Sequence, residues 1–281
     1  MPVIHRKVEP TGHQTSANSF FLLATVHEYT RITPGFEMTT RRKPFVVGSY
    51  YASPAEKQQF LRKIFDRTAS HYEGVARWGW FCSGEIYRLG ALRRAGVRPD
   101  MRVIDVASGT GSVARAFMKI LNSPDQIVCV EPSAGMIAES RKTVPATHHQ
   151  STAESLPVPD EAFDFLSMGF ALRHVDDLEE TFREFRRVLK DGGKVLIMDV
   201  TTPDSRIGRV LFKAYFKHLL PLFTLIISRD REAYRLMKYY WDTMDQMVDR
   251  EEIVEILRES GFRTADHKVL LGCFSEYVAE R

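Results

Sequence analysis

Cysteine is scarce in this chain of 281 residues: Cys82, Cys129 and Cys273 are the only three. They stand far apart, without the close pairs of a zinc site or the number needed for a disulfide framework. They read as buried structural thiols in a reducing compartment. Long apolar runs are also lacking, and no stretch reaches the length of a membrane span. The run Phe20-Phe21-Leu22-Leu23-Ala24-Thr25-Val26 follows His5, Arg6 and Lys7, but it is short for a signal peptide and no small-residue cleavage site follows cleanly. Charge of one sign is not in excess. The formal net charge is +3, too weak to argue for nucleic acid without a patterned basic stripe. Repeats and low-complexity tracts do not occur. What is present, 44% hydrophobic and 27% charged residues, suits a soluble folded protein with one α/β domain plus an extension. A cytoplasmic location is expected.

Residues 1–45 show little periodicity and read as a flexible extension, with Met38 a candidate start. One domain is expected over 46–281. The pattern predicts a helix over 54–69, opened by Ser53-Pro54, and a second over 83–95 that stops at Gly96. Strands and helices then alternate: strand 102–106, helix 112–121, strand 126–131, helix 134–143, strand 163–168, helix 178–189. Strand 194–200 follows the turn Asp191-Gly192-Gly193. A helical cover spans 206–247, helix 250–260 ends at Gly261, and 264–279 offers one or two strands. Such alternation predicts an α/β, doubly wound, mostly parallel sheet with N-terminal helices and an inserted helical lid. Ligands of such sheets bind at the carboxyl ends of the strands, at the switch point.

The segment Val103-Ile104-Asp105-Val106-Ala107-Ser108-Gly109-Thr110-Gly111-Ser112 carries the most chemistry. An apolar run ends in a glycine turn at a helix N-terminus, where backbone can approach a nucleoside closely. Gly109, Gly111 and Ala114 satisfy the loose dinucleotide pattern, with Glu131 about twenty residues on. Asp105 argues against a phosphate ligand, because its carboxylate would repel a pyrophosphate docked on the helix N-terminus. The sulfonium and ammonium groups of S-adenosylmethionine suit it instead, through water. Glu131, followed by Pro132, can accept both ribose hydroxyls or stand as an acid before the helix at 134. The segment 151–157 falls where a third strand would meet the adenine, with Thr152 and Ala153 at the ring edge or in a solvated loop. His148-His149 lacks further ligands nearby and reads as solvated loop, so no metal site is expected.

Four blocks bear a family likeness. Ile64-Phe65-Asp66-Arg67-Thr68-Ala69-Ser70-His71-Tyr72-Glu73 resembles FDxIAxxYD. Ala153-Glu154-Ser155-Leu156-Pro157-Val158-Pro159-Asp160 with Phe163-Asp164 resembles AExLPFPDxxFD. Phe170-Ala171-Leu172-Arg173-His174-Val175 resembles FGLRNV, and Arg187-Val188-Leu189-Lys190-Asp191-Gly192-Gly193 resembles RVLKPGG. Together they resemble the ubiquinone/menaquinone-biosynthesis C-methyltransferases, a branch of the class I methyltransferases, over about 61–279. The family has Asn at the place of His174, Asp at Thr152 and an acid at Ser112, and its tail differs over 270–277.

The resemblance implies a class I methyltransferase fold, S-adenosylmethionine as cofactor held by Asp105, Ala107, Gly109, Gly111, Glu131, Pro132, Thr152, Ala153 and Tyr72, and a hydrophobic quinol-like aromatic substrate. It also implies that Tyr72, Arg173 and His174 line the reaction site. Arg173 can stabilise a developing phenolate or pair on the surface with Asp176 or Asp177. His174 titrates near neutrality and can act as general base in place of the family's asparagine, or cap the next helix. Tyr72 can equally sit in the core. The apolar stretch 211–227 reads as a cover helix or as a lid that meets a membrane surface, and Tyr239, Tyr240 and Trp241 line the pocket or fill the core. Transfer to oxygen or nitrogen, a non-catalytic donor-binding regulator, and more distantly a nicotinamide oxidoreductase are the rival functions. A peripheral membrane contact and a homo-oligomer stay open.

Overall fold

The computed structural model describes residues 50–79, 84–244 and 248–281. The expected extension over 1–45, Cys82 and the end of the expected cover at 245–247 lie outside the described residues. Among these residues, seven strands make one sheet: β1 (Val103–Val106), β2 (Ile127–Val130), β3 (Thr147–His149), β4 (Phe163–Gly169), β5 (Leu189–Val200), β6 (Thr264–Leu270) and β7 (Phe274–Glu280). Their order is β3-β2-β1-β4-β5-β7-β6. The first five run parallel, and β7 enters antiparallel between β5 and β6.

The helices are α1 (Pro54–Gly79), α2 (Gly84–Arg94), α3 (Ser112–Phe117), α4 (Ala134–Ser140), α5 (Leu178–Val188), α6 (Arg206–Ala214), α7 (Leu220–Ser228), α8 (Arg231–Met244) and α9 (Arg250–Glu259). Central parallel strands are buried on both faces, so β1 and β2 are mostly β-branched, broken only by Asp105 and Cys129, and do not alternate apolar with exposed polar residues. Ile104, Val106, Val128 and Val130 pack with Phe182 and Phe185 of α5 and with Ile253 and Leu257 of α9. Their neighbours Val103, Ile127 and Cys129 point to the other face, with Leu92 of α2 and Phe117 of α3. A third cluster joins Ile64 of α1 to Phe212, Phe216, Leu220, Leu236, Tyr239 and Trp241 of the cover, against Val200 at the end of β5.

The differences from expectation have local causes. The first helix runs ten residues past Ala69, to Gly79. The cover is three helices, joined by a π-helical turn, Tyr215–Leu219, and a break at Arg229, whose φ is +52°. The glycine turn at 191–193 lies inside β5, where Gly192 has φ +74° and the pairing with β4 shifts register. His148-His149 belongs to edge strand β3, not to a solvated loop. The His148 ring bridges Ala146 O and Ser140 Oγ, each at 2.9 Å. This strand is short and polar and carries no periodic signal; backbone pairing with β2 decides it. Of the described thiols, Cys129 is buried and Cys273 half-buried.

Candidate active site

A cavity opens at the carboxyl ends of β1, β2 and β4, as expected at a switch point. Backbone geometry builds its first wall. Ala107, Gly109 and Gly111 have φ of +52°, +54° and +84°, so three residues in five turn left-handed and bring the chain around in one tight loop. The two glycines do different work. A Cβ on Gly111 would meet Ser140 Oγ at 2.6 Å and Val144 Cγ2 at 2.7 Å, so this position is bare to let the loop pack on α4. A Cβ on Gly109 would meet no protein atom within 4 Å, and Gly109 lines the cavity.

Glu131 follows β2 and faces the same space. Its Oε2 accepts from Gly109 N (2.9 Å) and its Oε1 from Ser133 N (3.0 Å), which ties the glycine loop to β2. Burial pushes its carboxyl up to about 7, against the two backbone donors, while the charge of Asp66 adds to the rise. Each oxygen keeps a lone pair for a ligand hydroxyl. Pro132, Thr152 and Ala153 line the same half of the cavity.

Asp105 is placed differently from expectation. It is fully buried behind the glycine loop and is not part of the cavity wall. Ser167 Oγ donates to its Oδ1 at 2.6 Å, and Oδ2 makes no well-formed hydrogen bond among the described residues. Burial pushes this carboxyl up to about 7, opposed by the Ser167 hydroxyl, the charge of Arg88 and the Ala114 N–H. A strand buried on both faces turns the side chain inward, so Asp105 sits beneath the loop and outside the cavity wall.

The second half of the cavity is apolar, walled by Phe65, Phe170, Phe216, Leu220, Met237 and Tyr240. Arg173 and His174 sit where the halves meet, on the 3₁₀ turn Leu172–His174 that follows β4. Surface pairing of Arg173 with Asp176 or Asp177 is not what forms. Arg173 Nη1 donates to Asp199 Oδ1 at 2.7 Å, with both side chains almost fully buried, and its guanidinium lies 4.7 Å from the Tyr240 ring centroid. Burial pushes Asp199 above the usual carboxylate range, against the stabilising charge of Arg173. His174 is not a helix cap, because Asp177 caps α5 through Glu180 N. Its ring stacks on Tyr239 (5.7 Å, 15°) and meets the edge of Phe65 at 5.6 Å. Burial, then the cations Arg173 and Lys57, hold its pKa well below the ordinary value, so the imidazole is neutral. Its Nε2 is buried without a partner among the described residues. Tyr72 falls on α1, and its side chain lies outside the described residues. Tyr240 lines the pocket, whereas Tyr239 and Trp241 fill the core.

Sequence reasoning missed two residues of α1. Lys57 is 1% exposed; its Nζ donates to Val175 O and pairs with Asp176 Oδ1, each at 2.9 Å. Asp66 Oδ1 accepts from Ser133 Oγ (2.6 Å) and Gly135 N (2.9 Å), at the start of α4. A signal for Lys57 existed: it stands three, four and seven residues before Phe60, Leu61 and Ile64, inside the apolar stripe of the helix.

The strand order, with one reversed strand beside β5, and a glycine loop tied to an acid at the end of β2 define a class I S-adenosylmethionine-dependent methyltransferase. The residues fit that cofactor: Gly109 leaves room beside the loop, and Glu131 offers acceptors toward it. The structure resembles a SAM-dependent methyltransferase of Thermotoga maritima, with TM-score 0.55 and 24% identity over 78% of this chain and 98% of that one. It also resembles phosphoethanolamine N-methyltransferase 2 of Haemonchus contortus, with TM-score 0.56 and 17% identity over 78% and 60%. These likenesses establish a common fold.

In sequence, residues 53–277 match the ubiE/COQ5 methyltransferase family, and the chain belongs to it. A demethylmenaquinone methyltransferase of Symbiobacterium thermophilum is 30% identical over 78% of this chain and 91% of its own length. The ubiquinone/menaquinone biosynthesis C-methyltransferase UbiE of Pseudomonas aeruginosa is 29% identical over 78% and 87%. The protein is an enzyme that uses S-adenosylmethionine. Among the described residues no group of side chains could hold a metal ion, and no helix is long and apolar enough to cross a membrane.

Proposed function

We propose that this enzyme methylates a ring carbon of a prenylated quinol. The observation that carries the reading is the buried Arg173–Asp199 pair, held where the polar half of the cavity gives way to the apolar half. Bound S-adenosylmethionine supplies an electrophilic methyl group on sulfur. Everything else falls to the chain. Glu131 and the loop at Gly109 fix the donor end of the cavity. Phe65, Phe170, Phe216 and Tyr240 surround an apolar ring and exclude water from it. Holding the two reactants in line supplies several kcal/mol of the barrier reduction.

A quinol carbon becomes a good nucleophile only as a ring hydroxyl loses its proton, which leaves to solvent. Once the carbon has gained the methyl group, its ring hydrogen leaves as a proton and the hydroxyl is restored, so one proton is released overall. Arg173 is permanently charged and favours that phenolate. Asp199 fixes the guanidinium and offsets the cost of burying it. His174 is neutral, and cations on two sides resist its protonation. That makes it a weak proton carrier, and supports it as a hydrogen-bond acceptor from the ring hydroxyl. The relatives' names point the same way, since they are demethylmenaquinone and ubiquinone/menaquinone methyltransferases. A prenylated substrate resides in lipid, so the protein meets it at a membrane surface.

The test is incubation of a cell lipid extract with the enzyme and isotope-labelled donor, with mass spectrometry of the products. Label on a quinol ring carbon is expected. Label on an ether oxygen or an amine nitrogen, with quinols unlabelled, overturns the proposal.

A further inference from the structure

The face of the cover turned away from the cavity exposes apolar and basic side chains in rows. Helices α6 and α7, with the π turn between them, form one helical run over 206–228. Ile207, Val210 and Leu211 on α6 and Leu222, Phe223 and Ile226 on α7 are each more than half exposed. Phe212, Phe216, Leu220 and Thr224 point inward and are buried, and Phe216 and Leu220 wall the cavity. Arg206, Arg209, Lys213 and Lys217 form a third, exposed row, and Arg229 ends the run. No Asp or Glu occurs from Arg206 to Arg229.

The π turn makes these rows straight. In an α-helix each residue advances about 100°, so positions four apart drift by about 40° per step. Over the three steps from Phe212 to Thr224 that drift would reach about 120°. One extra residue in the π turn returns about 100° of it. The same correction brings the Leu222 group onto the line of the Ile207 group; without it the two apolar patches would face different ways.

We infer that this outer face docks on an anionic phospholipid surface, with its apolar row in the acyl boundary and its basic row among the headgroups. A second copy of the chain fits less well, because two such faces bring only cations together and the run over 206–229 offers no acid to pair with them. A span is excluded by the four cations within the run. The inference rests on the lipid-borne quinol for its purpose, since it places the wall of the cavity, Phe216 and Leu220, against the phase that holds such a substrate.

The test is flotation of the full chain with vesicles of phosphatidylcholine alone and of phosphatidylcholine mixed with phosphatidylglycerol. Two double variants, Lys213→Gln with Lys217→Gln and Leu222→Ser with Phe223→Ser, change exposed side chains outside the cavity wall. Circular dichroism and calorimetric titration with S-adenosylmethionine confirm that each is folded. The wild type should float with the anionic vesicles only. The lysine variant should bind them roughly thirtyfold more weakly, and the apolar variant should stay unbound. Methylation of a water-soluble short-chain quinol should be unchanged in both. Failure of the wild type to float at low salt, equal flotation with neutral vesicles, or wild-type behaviour of both variants overturns the inference. So does a dimer in solution that the apolar variant abolishes, because it assigns the face to a second copy. Flotation as expected with no quinol methylated would uphold the docking face and overturn the quinol reading alone.

Discussion

Binding of the nucleoside part of the donor should weaken as pH falls through 7. Glu131 is the cause. Its carboxyl has risen from an ordinary 4.5 to about 7 because it is buried. Only the ionised form offers acceptors on both oxygens; once protonated, one oxygen becomes a donor. A ligand that donates two hydroxyls to the carboxylate therefore selects the charged form and competes with the proton. Between pH 8 and pH 6 the ionised fraction falls from about ten-elevenths to about one-eleventh, a tenfold loss of affinity or roughly 1.4 kcal/mol. Calorimetry with 5′-methylthioadenosine reads this cleanly, because that probe has the ribose but no ammonium group of its own to titrate. The dissociation constant should rise about tenfold from pH 8 to pH 6 and level off above pH 8. Glu131→Gln should bind one to two orders of magnitude more weakly at pH 8, through lost charge-assisted hydrogen bonds, and should show no pH dependence in this window. Asp105 is the control. It also titrates at about 7 but lies behind the loop, so Asp105→Asn should keep the slope. A flat wild-type profile, a slope surviving in Glu131→Gln, or one lost in Asp105→Asn would refute the assignment.

Further consequences follow at other residues. Asp199→Asn leaves the buried Arg173 without its counter-charge; kcat should fall by about 10² or more, with donor affinity in calorimetry changed less than twofold. Gly111→Ala should cost roughly 2–4 kcal/mol in a thermal melt, because its Cβ meets Ser140 and Val144 at a positive φ. Gly109→Ala should cost only about 1 kcal/mol of stability but weaken the donor more than tenfold, since its methyl enters the cavity; equal melting losses for the two variants would sink the distinction. His174→Asn should keep the shape of the pH–rate profile between pH 6 and 9, because burial holds the imidazole neutral there. Loss of a wild-type limb of unit slope in that variant would restore His174 as the base.

The elements that the sequence shows clearly are those with one-sided or wholly apolar patterns. β1 and β2 announce themselves through largely β-branched buried strands, β4 through its apolar Phe, Leu and Met residues, and the helix stops through Gly96 and Gly261, the residue type that takes the positive φ found there. Strand β3 is silent, because three half-polar residues at a sheet edge are set by pairing and not by side chains. The same limit governs the site. Ala107, Gly109, Glu131, Pro132, Thr152 and Ala153 come together at one cavity, as local spacing along successive strand ends allows one to foresee. The depth of Asp105 does not follow from spacing; it depends on how far the loop rises above the strand. Asp199 could not be paired with Arg173 from sequence, since 26 residues separate them and nearer acids competed for the same guanidinium. Lys57 could be suspected from its place in the apolar stripe of its helix, but its two partners could not: Val175 O and Asp176 come from a segment more than a hundred residues on.

Helix α1 carries two hooks nine residues apart, Lys57 on Val175 and Asp176, just past the turn that bears Arg173, and Asp66 on the start of α4, beside the Glu131 side of the cavity. The helix is thus a caliper, and its jaws are set about 13 Å apart by the rise of the backbone alone. The spacing between the segment after Arg173 and the start of α4 is referred to this one rod. Inserting a single residue between the hooks would swing one of them about 100° around the axis and carry part of the cavity wall between them, such as Leu61 or Phe65, with it. Relatives that accept bulkier rings would therefore be expected to differ in the walls of the apolar half and to hold the length of this segment fixed.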